Sequence, residues 1–383
     1  MEDEEEACRR LVEWATSHGA VLNGIAPRRV PERGGYGIMA TRALKAKQTI
    51  LTVPHVLLRT LDSTPSFIKR RLRGATVHGI LAAALCLDWS ELEVWRAVLP
   101  LRHVVFASTP LAWLDSLPSL LPASDVDLLT RQLAKFEADW ARVESAFAGN
   151  MVRSDFLYAW ILVNSRTFYH TTPRTERGLP KEDHMALVPV ADLFNHGCHD
   201  GSCTVAFDAK AYTFTTSRAY QVGEELFICY GRHSDDVLLV EYGFTLGPDL
   251  PNPYDETCLD AHLCPLFSTR QKHRLQHAGF WQRYMLDADT PCYRTLTALR
   301  ILCLPPTHWA AILDGSRDED LDRDAVDAQL LALLTTYEKD IRRRLLLVNR
   351  LGDEATPHQK ACIRARWIAV KNLVLANLSR LRS

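Results

Sequence analysis

The pattern of apolar and polar residues divides the chain into strand-like and helix-like stretches. Short apolar or β-branched segments at residues 37–40, 49–53 and 56–59 predict strands. Residues 76–170 repeat apolar positions at helical spacing, so we predict that this stretch is helical throughout. Strand patterns return between residues 187 and 230. The order is therefore strands, a long helical segment, and strands again.

The long helical segment contains two well-marked helices. One is predicted to begin at residues 124–127, where Ser and Asp side chains supply capping groups, and to end near Gly149. Its predicted buried face consists of Leu128, Leu129, Leu133, Phe136, Trp140, Val143 and Phe147. The other is predicted over residues 154–166.

The second group of strands includes a hairpin. Residues 204–207 and 212–216 are predicted to pair across a four-residue turn. A short strand is predicted at 226–229 and a helix at 234–244, while a further helix is predicted near the start at 7–18.

The chain changes character near residues 248–253, where we place a domain boundary. Beyond it, helical patterns cover 266–286, 292–303, 324–349 and 357–381. The tail is therefore predicted to be all-helical, unlike the alternating strands and helices of a dinucleotide-binding enzyme.

Composition narrows the possible partners and compartments. The chain has 383 residues, enough for two domains, and a net charge of -1, which predicts no direct nucleic-acid partner. It contains no secretory signal pattern and no apolar run long enough to span a membrane. Its ten cysteines lack a C-x-x-C pair, which favours reduced thiols in the cytosol or nucleus.

Three short segments carry groups that could do chemistry. Glycines in 35–38 allow close backbone approach to a ligand, although such a pair also forms ordinary tight turns. Residues 191–196 combine an acid, an amide and an imidazole, and Tyr230 ends an apolar strand directly before Gly231. Taken singly, each segment is also explained by a satisfied turn or a buried ring.

Taken together and in this order, the segments resemble the SET-domain methyltransferases. Residues 35–42 resemble the opening motif of that family, and 195–198 resemble its central Asn-His motif. Residues 230–231 and 241–244 are similar to its closing motif. The helical segment and the helical tail resemble the branch of the Rubisco large-subunit methyltransferase.

The resemblance implies an α+β fold. It implies a β-rich, knot-like domain of short strands at 20–250, with a helical insertion at about 70–180. An all-α domain at 255–383 would follow and would bind the protein substrate.

The resemblance also implies S-adenosylmethionine as the cofactor. It assigns the following residues to cofactor binding: Gly35, Tyr36, Gly37, Ile38, Arg166, Asp192, Asn195, His196 and Tyr230. Arg166, in a Ser-Arg pair typical of the family, would bind the cofactor carboxylate through its guanidinium. Asp192 would orient the Asn-His turn.

The implied activity is methyl transfer to a lysine of a protein substrate. Tyr230 would be the catalytic residue, aligning the reacting methyl through weak contacts. Phe168, Phe194 and Tyr242 would form an apolar channel that lowers the pKa of the target lysine. A monomer without membrane contacts is expected.

Two other activities stay open. Histidine methyltransferases of the same family carry a Trp where this chain has Ala191 and an Asn where it has Phe168, so both positions favour lysine. A catalytically inactive binding module is the other possibility, against which Asn195, His196 and Tyr230 are all present.

No metal is predicted. Cys198, His199 and Cys203 could begin a zinc site, but the Cys-rich segment that completes it in many SET proteins is missing. Cys258 and Cys264 lack the required spacing.

Overall fold

The computed structural model describes residues 2–30, 35–88, 92–114, 116–197, 201–246 and 252–383. The chain divides into two compact units. The first comprises Met1–Ala112, Arg131–Arg232 and Glu241–Gly243, and the second Trp113–Thr130, His233–Val240 and Phe244–Ser383. The predicted bounds of 20–250 and 255–383 stay a prediction, and most of the expected boundary at 248–253 lies outside the described residues.

The strands are short, as the sequence predicts. In chain order they are β1 (Val21–Leu22), β2 (Ile25–Val30), β3 (Gly35–Ala40), β4 (Thr49–Pro54), β5 (Thr167–Tyr169), β6 (Met185–Leu187), β7 (Asn195–His196), β8 (Thr204–Phe207), β9 (Ala211–Thr215), β10 (Glu225–Ile228), β11 (Thr257–Cys258) and β12 (Met285–Leu286). The first unit contains β1 to β10, and the second contains β11 and β12.

The first unit contains two four-stranded sheets and one small ribbon. One sheet has the order β1-β4-β9-β8, and the other has the order β2-β3-β10-β7. All of these pairs are antiparallel except β10 with β7, which is parallel. β5 and β6 form the ribbon.

The helices account for the rest of the ordered backbone. They are α1 (Glu2–Ser17), α2 (Ser66–Arg71), α3 (Val77–Leu87), α4 (Glu93–Arg96), α5 (Arg102–Ser108), α6 (Ala123–Ala146), α7 (Arg153–Arg166), α8 (Pro173–Gly178), α9 (Asp235–Val237), α10 (Asp260–Leu263), α11 (Thr269–His277), α12 (Tyr293–Cys303), α13 (Pro306–Leu313), α14 (Arg323–Asn349) and α15 (Pro357–Arg382). Leu238–Tyr242 continues α9 as a π-helix.

Most predicted elements of the first unit are present. The hairpin of β8 and β9 and helices α6 and α7 lie within three residues of their predicted bounds. The strand predicted at 56–59 is wrong, because the chain turns after Pro54 into a 3-10 helix that leaves Val56 exposed. The prediction of a continuous helical stretch over 76–170 is wrong at its end, where Thr167–Tyr169 is a strand that pairs with β6. Loops also interrupt the helices within this stretch.

The buried face of α6 is also close to the prediction. Leu129, Phe136, Trp140, Val143 and Phe147 are buried. Leu133 is instead 44% exposed, so its apolar side chain does not belong to the face that packs. The core of the first unit forms around the sheets, α3 and α7.

The tail differs from the sequence prediction at several elements. It is not all-helical, because β11 and β12 pair as a short antiparallel ribbon, with Thr257 opposite Leu286. α11 ends at His277, whereas the pattern predicts a helix over 266–286. Gly279 follows with φ of +76°, and Gln282 and Arg283 also have left-handed backbones, which no α-helix accommodates. α12, α14 and α15 lie within one residue of prediction, and the short α13 was not predicted.

The second unit buries a cluster of charged side chains. Arg366 on α15 is fully buried, and its Nε lies 3.2 Å from Asp125 Oδ1 while its Nη1 lies 3.2 Å from Asp255 Oδ2. The buried Asp235 and Asp236 lie in the same cluster and influence the same arginine. One guanidinium therefore faces four buried carboxyl groups.

Within the described part of the chain, no helix combines the length and apolar character needed to cross a bilayer.

Candidate active site

Strand pairing brings the three chemistry-bearing segments together. β10 lies between β3 and β7, with Leu226 opposite Ile38 on one side and Phe227 opposite Asn195 on the other. The glycine segment, the Asn-His pair and the strand that leads to Tyr230 are therefore neighbours in one sheet. Their proximity follows from backbone register rather than from nearness in sequence.

The Asn195 amide has a defined orientation. Its Nδ2 donates to the Tyr36 carbonyl at 3.1 Å and to Glu225 Oε1 at 2.6 Å. Both partners are acceptors, so the nitrogen must face them. Consequently the amide oxygen faces away from this pair, which leaves an acceptor for another ligand.

Gly37 is required by the same contact. A Cβ at this position would lie 2.5 Å from Glu225 Oε1 and 3.0 Å from Asn195 Nδ2. Any larger residue would therefore displace the carboxylate or the amide. At Gly35, in contrast, a Cβ would meet no atom within 4 Å.

His196 and Tyr230 form the next layer of the site. The Tyr230 backbone N–H donates to His196 Nδ1 at 3.1 Å, which requires that nitrogen to accept. The Tyr230 hydroxyl donates to the Phe194 carbonyl at 2.6 Å. Burial raises the pKa of the Tyr230 phenol well above its ordinary value, so the phenol stays protonated at neutral pH.

Asp192 holds Arg166 in place through its carboxylate. Its buried carboxylate accepts from Trp95 Nε1 at 3.1–3.2 Å and from Arg166 Nη1 at 3.1 Å. Burial raises the pKa of Asp192, and the Arg166 charge opposes that shift. Arg166 also donates to the Asp192 carbonyl, whereas its Nε and Nη2 make no hydrogen bond to a described residue. The Nε and Nη2 side of the guanidinium is thus left for a ligand.

An aromatic cavity of about 300 Å³ opens beside these residues. It is lined by Ser165, Arg166, Thr167, Phe168, Tyr169, Ala191, Asp192, Phe194, Val205, Phe207, Tyr212, Ile228, Cys229, Tyr230 and Tyr242. Phe194 stacks on Phe214 with ring centroids 5.2 Å apart, and Phe168 meets Phe214 edge-on. The cavity is therefore lined largely by aromatic and apolar side chains, and Phe214 packs behind two of them.

The structure separates the predicted site residues into two groups. Arg166, Asp192, Tyr230 and the predicted channel residues Phe168, Phe194 and Tyr242 all line the cavity. Among the described residues, the cavity lining does not include 35–38 or 195–196. The two groups meet where the Tyr230 N–H contacts His196.

A hydrogen-bond network holds the segment that carries Tyr242. Glu241 Oε2 accepts from Gln132 Nε2 and from Asn164 Nδ2, both at 2.9 Å. Asn164 also donates to the Glu241 carbonyl at 2.8 Å. These contacts place the Tyr242 ring 5.3 Å from that of Tyr230.

Val190 is strained where the chain enters the site. Its φ is +73° and its ψ is -48°, and its side chain is fully buried. A β-branched residue rarely adopts this conformation, and such strain is concentrated at functional sites. The strained turn directs residues 191–194 into the cavity wall.

Sequence reasoning missed several of these residues. Glu225 carried a weak signal, since it opens a strand after a Gly-Glu turn, whereas Trp95 and Val190 carried none. The possible zinc ligands Cys198 and His199 lie outside the described residues. Within the described ranges, no group of three or more metal-ligating side chains occurs.

The chain is similar in sequence to known proteins. The SET domain family model matches residues 35–231. SET domain-containing protein 4 of Mus musculus is 31% identical over 73% of this chain and 70% of its own length. Ribosomal lysine N-methyltransferase set11 of Schizosaccharomyces pombe is 25% identical over 86% of this chain and 87% of its own length.

A solved structure has the same fold. The crystal structure of the SET domain of LSMT bound to lysine and AdoHcy covers 99% of this chain and 91% of its own, with a TM-score of 0.67 and 14% identity. The predicted α+β class is thereby confirmed. The sequence gives the same assignment, through the family-model match and the identity to the mouse relative. The chain belongs to the SET domain family.

Proposed function

We propose that the protein is an S-adenosylmethionine-dependent protein-lysine N-methyltransferase with Tyr230 at its catalytic centre. The carrying observation is the Tyr230 hydroxyl, which donates to the Phe194 carbonyl at the wall of an aromatic cavity. Support comes from a relative named as a ribosomal lysine N-methyltransferase, which matches over most of both chains.

The residues fit the cofactor's charged methionine end. Asn195 would accept from its ammonium through the outward-facing amide oxygen, and Arg166 would bind its carboxylate with the unoccupied half of its fork. Residues 35–38 would contribute backbone groups. Asp192 would hold Arg166, and His196 would contact the adenine region, largely through its backbone.

When bound, S-adenosylmethionine supplies an electrophilic methyl group on a sulfonium. The protein needs no nucleophile of its own and must align the two reactants. The Tyr230 hydroxyl donates its hydrogen bond to the Phe194 carbonyl, so its oxygen keeps lone pairs that can contact a polarised methyl. It cannot act as a base at neutral pH, because its pKa is raised by burial.

The cavity wall favours lysine over histidine. An apolar cavity disfavours an ammonium and so lowers the pKa of an entering lysine, which must be neutral to react. Phe168 presents a ring, where the histidine enzymes of the family carry an amide. Ala191 stands where those enzymes carry Trp.

A role for the second unit is also proposed. The second unit, which contains all of 255–383, would bind the protein substrate. A monomeric state and a cytosolic or nuclear location stay predictions of the sequence.

Calorimetry on chelator-treated protein tests the cofactor assignment. We expect S-adenosylmethionine to bind without metal and Asn195→Ala to bind it roughly ten- to hundredfold more weakly, since hydrogen bonds to a charged ligand are lost. Absence of binding by folded wild-type protein would contradict the proposal.

Transfer of tritium from labelled cofactor to proteins of a cell lysate tests the activity. We expect one labelled product in which mapping places the methyl on lysine. A label on histidine would reject the lysine assignment while leaving methyl transfer standing.

A further inference from the structure

A basic surface lies in the second unit around α11. Residues 261–286 contain four Lys or Arg residues and no Asp or Glu, although the whole chain carries a net charge of -1. Arg270, Lys272 and Arg274 are on the helix, together with the exposed His273 and His277. The sequence prediction of no nucleic-acid partner rests on the net charge of the whole chain. That net charge does not reveal the local excess of positive charge in this segment.

The cations of α11 are not paired with acids. Arg270, Lys272 and Arg274 form no ion pair with any described residue. The other basic run of this unit differs: on α14, Arg342 bonds Glu338, and Arg343 and Arg344 lie 2.7 and 3.8 Å from Asp340. Within the described ranges, the α11 cations therefore carry positive charge that no ion pair offsets, unlike the arginine run of α14.

Two aromatic rings beside α11 lie against cations, one of them on the helix. Lys272 Nζ lies 5.1 Å from the Trp281 ring, and the Arg294 guanidinium lies 5.4 Å from the Phe280 ring. Tyr293 packs against Phe280 and is 50% exposed. Cations interleaved with accessible rings suit a backbone of phosphates carrying stackable bases.

The turn that presents Trp281 is strained. Gln282 and Arg283 both have left-handed backbones, with φ of +65° and +63°. Asp260 holds this turn by accepting from the backbone N–H groups of Arg283 and Tyr284 at 2.8 and 2.9 Å. An outlier conformation kept in place by a dedicated carboxylate is typical of functional segments.

We propose that the face formed by α11, the turn at 279–284 and Tyr293 binds single-stranded RNA. The cations contact phosphates without reading sequence, and the exposed ring stacks on a base. An acidic peptide would use the cations but would gain nothing from the rings. This binding needs neither the cofactor nor the aromatic cavity, so it stands or fails separately from methyl transfer.

Fluorescence anisotropy with the full-length protein and a labelled oligouridine of roughly twelve nucleotides tests the proposal. The variant Arg270→Gln/Lys272→Gln/Arg274→Gln should bind at least tenfold more weakly and lower the log–log salt slope by about 2. The matched control Arg342→Gln/Arg343→Gln/Arg344→Gln removes three cations from α14 and should bind like wild type. Melting curves verify that each variant is folded.

Tyr293→Ala separates RNA from other polyanions. We expect it to weaken RNA binding roughly ten- to hundredfold at unchanged salt slope, because one stacked base is lost. A polyglutamate peptide that binds as tightly as the RNA, or equal RNA affinities of the two triple variants, would overturn the proposal.

Discussion

The hydroxyl of Tyr230 is the single group on which the proposed chemistry depends most. The hydrogen bond from this hydroxyl to the Phe194 carbonyl fixes the phenol ring. The backbone N–H of Tyr230 separately fixes the imidazole of His196. The ring side chain and the backbone therefore have separable tasks, and a substitution can remove one of them alone.

Tyr230→Phe keeps the ring and the backbone contact but removes the oxygen. We expect cofactor affinity to persist while single-turnover methyl transfer falls roughly a hundredfold, which corresponds to about 3 kcal/mol of transition-state stabilisation. Tyr220→Phe is the control, since this buried hydroxyl also donates to a carbonyl, that of Gly201, away from the cavity. A wild-type rate for Tyr230→Phe would place the reaction centre elsewhere.

Glu225 is predicted to be a positioning residue for the Asn195 amide. In Glu225→Gln the acceptor is neutral and can rotate its own amide, so the Asn195 oxygen is no longer held outward. Because a hydrogen bond to a charged acceptor is about 1 kcal/mol stronger than a neutral one, we expect roughly fivefold weaker cofactor binding. Glu224→Gln, which alters an exposed pair with Arg218, should leave that affinity unchanged in calorimetry.

The sequence indicated some site residues better than others. Asn195, His196 and Tyr230 lie in motifs, so their neighbourhood could be predicted. Glu225 and Trp95 act through long-range contacts set by strand register and helix packing, which no local pattern encodes. The sequence predicts Gly37 only as a backbone contact to the cofactor. The structure adds a second reason for glycine there, since a side chain would displace the Asn195–Glu225 contact.

At the scale of elements, the predicted helices agree with the structure where the sequence shows a clear capping residue or a clear helical repeat of apolar positions. α15 begins at a capping box: Thr356 Oγ1 accepts from the Gln359 N–H, and Gln359 Oε1 accepts from the Thr356 N–H. α11 ends early because Gly279 adopts a left-handed backbone after the C-cap and the Phe280 N–H closes on the Leu275 carbonyl, a glycine stop that side-chain periodicity alone does not reveal.

Thr356→Ala tests that capping box. We expect it to reduce the free energy of unfolding by about 1 kcal/mol, since one N-terminal N–H of α15 loses its acceptor. Thr336→Ala on the exposed side of α14 is the control and should change stability by less, as alanine favours helix. Urea unfolding followed by circular dichroism measures both, and equal effects would contradict the capping role.

At the scale of the molecule, the buried cluster around Arg366 couples stability to pH. Burial raises the pKa of Asp125 to about 7 and that of Asp235 to about 6, because one arginine cannot compensate four desolvated carboxyl groups. The unfolded chain releases these protons near pH 4. The folded state therefore holds more protons between about pH 4 and 7, and its stability should fall as the pH rises through that range.

Asp125→Asn tests this linkage. The asparagine resembles the protonated acid, so we expect the variant to match wild type most closely near pH 5 and to gain relative stability towards pH 8. Thermal melts across this range provide the measurement. A wild-type melting temperature that rises between pH 5 and 7, with no difference in slope for the variant, would contradict the raised pKa values.

The parallel pairing of β7 with β10 has a consequence for folding kinetics. Asn195 and Tyr36, which meet beside this pair, are 159 positions apart. The connection from β7 to β10 also passes through the hairpin of β8 and β9, which belongs to the other sheet. Closing such long loops is slow compared with forming local helices. The helices can therefore appear early in folding, whereas the site is assembled among the last long-range contacts.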